Sequence, residues 1–330
     1  MPSAKGKHAT AKHTDRGSPA KAAAVRSVTV ADASRGNWVD AFAPDWLKPY
    51  ARLARWDRPL PLLLLFWPCA FSLALAALAN RDRGMDWTAV VLMLIGSVAM
   101  RGAGCTLNDI VDADLDAKVA RTRSRPIPAG QVTKRRAAVF LLLQLLVGVI
   151  IVCAFNLLTI GLAAASLVLI AIYPFMKRIT WWPQLFLGLA FSYGAILGWT
   201  SQMDALSWPP VLMYLGSIAW VIGYDTIYAL QDIEDDALIG IRSTARLFGK
   251  NVQAVVALFY VGAVVLWTVA VAMTGDIRLF PLALVLPVCL LGWQIISLDT
   301  RTRGNALSRF KMNNWVGLAL TLAILLEVYV

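Results

Sequence analysis

The chain has 330 residues, of which 31 are Lys or Arg and 20 are Asp or Glu, with a formal net charge of +11. Hydrophobic residues make up 58% of it and charged residues only 15%, against about a quarter charged in a soluble domain, which excludes an ordinary cytosolic enzyme. Both histidines, His8 and His13, stand at the extreme N-terminus, so the rest of the chain has no imidazole for Ser-His-Asp chemistry, His-ligated zinc or haem.

Residues 1–36 are rich in Lys, Ala and Ser with no apolar core of a signal sequence, and read as a disordered basic tail. A transit peptide is the alternative, against which Asp15 and Asp32 count. Residues 37–58 read as an interfacial segment: Trp38, Phe42, Trp46, Tyr50 and Leu53 recur near helical spacing, interrupted by Pro44 and Pro49, with Lys48, Arg52 and Arg55 beside them.

From residue 59 onward the chain is a series of apolar runs near the ~20 residues that a helix needs to cross a ~30 Å hydrocarbon layer. The expected spans are Leu60–Ala79, Trp87–Asn108, Ala137–Phe155, Leu157–Met176, Ile179–Met203, Ala205–Tyr224, Asn251–Gly275, Leu279–Leu298 and Met312–Val330. All are taken as helices, because an open sheet leaves backbone groups unpaired in lipid. The fold class is therefore an all-α membrane protein of nine helices over residues 59–330. The four cysteines, Cys69, Cys105, Cys153 and Cys289, lie far apart inside these runs and read as buried filler rather than a metal or redox set.

Charge is distributed by topology, which is why the basic excess does not point to nucleic acid. The loops after spans two, four, six and eight carry sixteen Lys and Arg; those after spans one, three, five and seven carry three, Arg81, Arg83 and Arg278. That asymmetry places the even-numbered loops on the cytoplasmic side.

Acidic residues concentrate in two segments on that same side. The first, Asn108-Asp109-Ile-Val-Asp112-Ala-Asp114-Leu-Asp116, follows span two, and the second, Asp225 through Asp232, Glu234, Asp235 and Asp236, follows span six. Asn108, Asp112 and Asp116 are spaced four apart and share one helical face, as do Asp232 and Asp236. A shift of 120 residues superposes Asp112 and Asp116 on Asp232 and Asp236, which indicates two four-helix repeats plus one added helix. Stacked carboxylates repel and are costly near lipid. A hard divalent cation relieves both, and oxygen-only donors favour Mg²⁺ or Ca²⁺. Two such faces opposite each other would hold a diphosphate between metals. Arg101 interrupts span two, seven residues before Asn108 on the same face, and an intramembrane charge signals function.

These segments resemble the UbiA-type intramembrane prenyltransferases, in particular their 4-hydroxybenzoate branch. The resemblance rests on NDIVDADLD (108–116) followed by RTRSRPIPAG (121–130), on GYDTIYALQDIEDD (223–236) followed by GIRSTA (240–245), and on YPFMKRIT (173–180), MRGAGC (100–105) and DRPLPLLLLFWPC (57–69). It implies nine helices around a central cavity, Mg²⁺, a polyprenyl diphosphate donor and 4-hydroxybenzoate as acceptor, in ubiquinone biosynthesis. It implies metal ligation by Asn108, Asp109, Asp112, Asp116, Asp232 and Asp236. It further implies substrate binding by Arg58, Arg121, Arg125, Lys177, Tyr228 and Arg242, with Arg178 or Arg101 on the acceptor carboxylate and Asp225 orienting the acceptor. The expected location is a bacterial inner membrane, or alternatively the mitochondrial inner membrane. Homogentisate, dihydroxynaphthoate, haem b or a chlorophyllide are alternative acceptors. A CDP-alcohol phosphotransferase is disfavoured because the chain has no Asp-Gly pair. A cation transporter is disfavoured because the acids sit at one face rather than at the midplane.

Overall fold

A computed structural model describes residues 36–330 except 59, 120, 121 and 239. The tail reading and Arg121 therefore lie outside the described residues, as does the side chain of Asp236. Every regular element among the described residues is helical.

Two short helices, α1 (Trp38–Phe42) and α2 (Lys48–Leu53), precede the first long one. Asn37 caps α1 by accepting from the Asp40 N–H, and Arg52 of α2 pairs with Asp40 at 2.7 Å, so an ion pair ties the two together. Helix α3 (Leu60–Ala79) coincides with the first expected span. It is the most enclosed of the long helices, with Phe71, Leu73, Ala74 and Leu75 almost wholly buried.

Helix α4 (Trp87–Asp116) is capped by Asp86, whose carboxylate accepts from the Ala89 N–H at 2.9 Å. Its 30 residues correspond to about 45 Å of helix, more than the hydrocarbon layer, so its last turns carry the first acidic segment out of the apolar zone. Helices α5 (Lys134–Val152) and α6 (Leu157–Ile179) follow, capped by Thr133 and Asn156. Both present exposed apolar faces, Leu142 and Ile150 on one and Val168 and Phe175 on the other, as a lipid-facing surface requires.

The fifth expected span is broken into α7 (Pro183–Phe191) and α8 (Gly194–Met203). The break falls just before Gly194, where α8 packs against α3: a Cβ on Gly194 would stand 2.4 Å from Cys69 Sγ, and one on Gly198 2.6 Å from the Cys69 carbonyl oxygen. This small-x-x-x-small spacing brings two backbones into contact where no hydrophobic effect drives helix association. Helix α9 (Trp208–Ala229) starts on Pro209 and Pro210, whose missing N–H groups cost nothing in a first turn. Short helices α10 (Ile233–Leu238) and α11 (Thr244–Phe248) lead into α12 (Val252–Ala272). The eighth expected span is also broken, into α13 (Phe280–Ala283) and α14 (Val285–Ile296). Pro287 lies four residues after Ala283 and cannot bond that carbonyl. The last helix, α15 (Arg303–Val328), begins nine residues before the expected span.

Six helical segments among the described residues are long and apolar enough to cross a membrane: Pro61–Ala79, Trp87–Asp116, Lys134–Val152, Leu157–Ile179, Trp208–Ala229 and Thr244–Ala272. Helix α3 lies against α4, α8, α9 and α15, and α9 against α12. Phe71, Trp220 and Trp267 meet ring to ring, with centroids 5.8–5.9 Å apart. One buried amide cluster is satisfied within the bundle: Asn313 accepts from Trp220 Nε1 at 2.7 Å and donates to Gln294, which accepts from the Tyr260 hydroxyl at 3.0 Å.

Hydrogen bonds sort the loops into two ends. At one end Lys134 pairs with Asp114, Arg178 with Asp112, Arg242 N–H with the Lys177 carbonyl, and Gln253 with the Ile295 and Leu298 carbonyls. At the other, Arg81 donates to the Asp276 carbonyl, Arg83 to Gln202 and Asn156 to Thr200. There too the buried Glu327 carboxylate accepts the N–H groups of Arg278, Leu279 and Phe280 at 2.7–2.8 Å. Both acidic segments belong to the first end.

Candidate active site

Between α3, α4, α5, α6, α8 and α9 lies a cavity of about 490 Å³. Its shaft is apolar, with Leu64, Met93, Val149, Val152, Ile160 and Leu167 on the wall. Its ionic part is built from three pieces of chain.

The first piece is the turn between α2 and α3. Helix α2 ends with the Trp56 N–H on the Ala51 carbonyl and Arg55 at φ 59°, a left-handed helix end usually given to glycine. An arginine there has a reason. Its guanidinium donates to the Arg52 carbonyl and, at 2.7 Å, to Asp109 Oδ1, and Arg55 and Arg58 both line the cavity.

The second piece is the end of α4. Arg101, Asn108 and Asp109 line the cavity from one helical face, as their spacing requires. Asp109 is fully buried; its Oδ1 takes Arg55 and, at 3.4 Å, Arg125, while Oδ2 has no partner. Asp116 pairs with Arg125 at 2.8 Å. Asp112, 1% exposed, is held by Lys177 and, at 2.7 Å, by Arg178. The sequence reading relieves carboxylate repulsion with metal alone; here arginine and lysine side chains already neutralise the ladder, which makes its burial tolerable.

The third piece is the second half of α9. Tyr224, Asp225 and Tyr228 line the cavity, with Tyr173 of α6 and Phe310 of α15 beside them. Asp225 and Arg101 lie within electrostatic reach of each other, and the Arg101 guanidinium carbon sits 5.1 Å from the centre of the Phe191 ring.

Asp232 lies in the turn after α9 and Asp236 within α10. The segment after α10 is tied to the same end of the bundle through Arg242, whose N–H bonds the Lys177 carbonyl and whose guanidinium donates to the Ile179 carbonyl. Arg242 thus sits on the C-terminus of α6, stacked on Trp181 at 5.8 Å, and not on the cavity wall. Lys177 and Arg178 reach Asp112 and are likewise off the wall. No group of three or more His, Cys, Asp or Glu side chains converges as a preformed metal cage among the described residues.

Arg55, Tyr173, Tyr224 and Phe310 line the cavity without having a site role in the sequence reading, which has Arg55 only as a flank of the interfacial segment. Tyr224 stands four residues before Tyr228 and Tyr173 four before Lys177, spacings that signal a shared face. Nothing local marks Arg55 or Phe310, because a left-handed turn at a non-glycine and a contact made by the last helix are both set by tertiary structure.

An apolar cavity with arginines and carboxylates on part of its wall, inside a bundle of membrane-length helices, has the chemistry to take an amphiphile with an anionic head. The chain belongs to the UbiA prenyltransferase family, whose profile matches residues 65–316. It is 46% identical over 281 residues to the protein named 4-hydroxybenzoate polyprenyltransferase, mitochondrial, of Aedes aegypti, covering 84% of this chain and 63% of that relative. Among solved structures it is similar to a UbiA homolog from Aeropyrum pernix K1 (TM-score 0.66, 23% identity, 80% of this chain and 97% of that one). It also resembles a UbiA homolog from Archaeoglobus fulgidus bound to GPP and Mg²⁺ (TM-score 0.61, 18% identity, 86% and 100%).

Proposed function

We propose that this chain transfers a polyprenyl group from polyprenyl diphosphate to the ring carbon of 4-hydroxybenzoate ortho to its hydroxyl, releasing diphosphate, as a step of ubiquinone biosynthesis. The observation that carries this reading is the ionic lining of the otherwise apolar cavity, where Arg55, Arg58, Asn108, Asp109 and Arg125 stand on the wall and Asp116 pairs with Arg125, while Asp112 is held off the wall by Lys177 and Arg178. The name of the Aedes aegypti relative supports the acceptor, and the GPP and Mg²⁺ of the Archaeoglobus fulgidus homolog support the donor class and a divalent cation.

The donor set fits Mg²⁺. It is oxygen-only, and the unpartnered, buried Asp109 Oδ2 leaves an open donor at the cavity. Asn108, Asp109, Asp112 and Asp116, with Asp232 and Asp236 from the second segment, are the residues that would hold it. Bound there with the diphosphate, the metal supplies charge neutralisation of the leaving group.

The chain's own residues do the rest. Arg125 and Arg58 line the cavity and bind diphosphate oxygens, and Lys177 and Arg178, which hold Asp112, are assigned to the diphosphate and to the acceptor carboxylate. Arg242 lies at the same end, and Arg121, outside the described residues, is assigned to the diphosphate with it. Fixed cations aimed at the developing charge favour rupture of the allylic C–O bond. The apolar shaft takes the isoprenoid tail and keeps water from the allylic cation. The ring carbon of the acceptor then forms the new C–C bond and loses its proton. Arg101 and Asp225, facing each other lower in the cavity, orient the acceptor, and Tyr228 with Phe310 presents aromatic faces to the cation at a centroid separation of 4.6 Å.

We place the nine-helix, two-repeat architecture in the same reading. The broken α7–α8 and α13–α14 and the long α15 complete the six membrane-length helices, and the acidic end faces the cytoplasm or matrix. The relative's mitochondrial name supports the mitochondrial inner membrane, the second of the two expected locations, rather than the bacterial one. Residues 37–58 read as its interfacial segment, consistent with exposed Trp38, Phe42 and Trp46. The test is prenyl transfer by membranes carrying Asp112→Asn or Asp232→Asn at saturating Mg²⁺. Both variants are expected to lose transfer by at least a hundredfold, and full activity in either overturns the assignment.

A further inference from the structure

Tyr224 is 1% exposed and lines the cavity beside Asp225, yet its hydroxyl is buried with no hydrogen-bond partner. Other hydroxyls of the bundle are satisfied: Tyr260 donates to Gln294 at 3.0 Å, Tyr214 to the Leu189 carbonyl at 2.9 Å, and Thr226 to the Ile222 carbonyl at 2.6 Å; Ser72 and Ser192 are, like Tyr224, buried without a partner, but of the three only Tyr224 lines the cavity. Buried polar groups in native proteins are nearly always paired, and an exception calls for a partner that arrives later. The ring itself is fixed. The Trp220 and Phe310 rings meet it edge-on at centroid distances of 5.1 and 5.7 Å, so the hydroxyl waits at a set position rather than searching for one.

We infer that Tyr224 is an acceptor-binding residue whose hydroxyl hydrogen-bonds the phenol group of the aromatic acceptor. This rests on the function proposed above. A tyrosine hydroxyl both donates and accepts, as a phenol does. Asp225, next along the helix and on the same cavity wall, accepts from a hydroxyl, so the hydroxyl end of the acceptor is the end that lies here. The acceptor carboxylate then points away, toward arginine. Holding the phenol at Tyr224 and Asp225 fixes which ring carbon meets the prenyl cation, because the reacting carbon is the one ortho to that oxygen.

The test pairs a deletion on the protein with the same deletion on the ligand. Tyr224→Phe removes one oxygen that has no partner in the protein and leaves the Trp220 and Phe310 contacts intact, so the melting temperature is expected to equal or exceed that of the unaltered protein. Binding of 4-hydroxybenzoate and of benzoate to the purified full-length protein is measured by calorimetry for both. The unaltered protein is expected to prefer 4-hydroxybenzoate. Tyr224→Phe is expected to weaken 4-hydroxybenzoate about five- to tenfold, the range of one hydrogen bond, and to leave benzoate unchanged. Equal weakening of both ligands, or of neither, overturns the role of Tyr224 while leaving the proposed function standing. Failure of the unaltered protein to bind 4-hydroxybenzoate overturns both.

Discussion

Replacing Arg55 by glycine and, separately, by alanine separates the two things that residue does. Its backbone sits at φ 59°, a conformation that costs a non-glycine residue roughly 1–2 kcal/mol. Its guanidinium holds Asp109 at 2.7 Å, and that carboxylate is fully buried. Stripping one partner from a buried ion pair costs about 3–5 kcal/mol, and Arg125, already 3.4 Å from the same oxygen, retains part of the interaction, so the lower limit of about 3 kcal/mol applies. Arg55→Ala keeps the backbone penalty and loses the pair, a net loss of about 3 kcal/mol. Arg55→Gly recovers about 1 kcal/mol of backbone strain and loses about 2 in all. Adding Asp109→Asn to the glycine variant removes the uncompensated charge and restores part of the loss. Denaturant or thermal unfolding of the protein in detergent micelles reads all three. An alanine variant as stable as the glycine variant refutes the backbone part, and a glycine variant indistinguishable from the unaltered protein refutes the ion-pair part.

Three further outcomes are expected. Gly198→Val places a Cβ 2.6 Å from the Cys69 carbonyl, forcing α8 off α3 and lowering stability by about 1–3 kcal/mol; unfolding in micelles shows it, and an unchanged midpoint refutes the close approach. Glu327→Gln removes the charge from three backbone hydrogen bonds at the start of α13, with an expected loss of about 1–3 kcal/mol, checked by the same unfolding measurement. Burial by itself raises the Asp40 carboxyl, but bonds from Arg52 and Asn37 hold it below its ordinary value of 3.8. Its contribution is therefore complete above pH 3.8 and is lost as the pH falls through the lower folded value. Acid titration followed by the fluorescence of Trp38, which donates to the Trp56 carbonyl at 2.6 Å, should show a step in that range that Asp40→Asn abolishes.

Much of the site was legible because its chemistry is written in local spacing. The four-residue rhythm of Asn108, Asp112 and Asp116 locates one helical face, of which Asn108 lines the cavity beside Arg101 and Asp109, whereas Asp112 and Asp116 pair with Lys177, Arg178 and Arg125. Charge asymmetry between loops likewise sorts the ends that the hydrogen bonds join. Helix continuity was less legible. Hydropathy over Ile179–Met203 and Leu279–Leu298 is unbroken; the first interruption falls at Ser192–Tyr193, next to the close approach of Gly194 to Cys69, and the second lies where Pro287 cannot bond the carbonyl four residues back. The partners of the carboxylates were illegible for a different reason. Asp112 meets Lys177 and Arg178, more than sixty residues away, and Asp109 meets Arg55 across 54. Spacing along one helix identifies which side chains stand together on it, and it carries no information about what arrives from another.

The measurement that bears most directly on the account is the mass of the product formed by the purified full-length protein in liposomes supplied with Mg²⁺, 4-hydroxybenzoate and prenyl diphosphates of several lengths. The account predicts a C-prenylated 4-hydroxybenzoate, heavier than the acceptor by the prenyl group less one hydrogen, with diphosphate released in equal amount and no product when Mg²⁺ is chelated. Unchanged 4-hydroxybenzoate alongside prenylation of a different acceptor, or an ester or ether in place of the ring-carbon product, would contradict it.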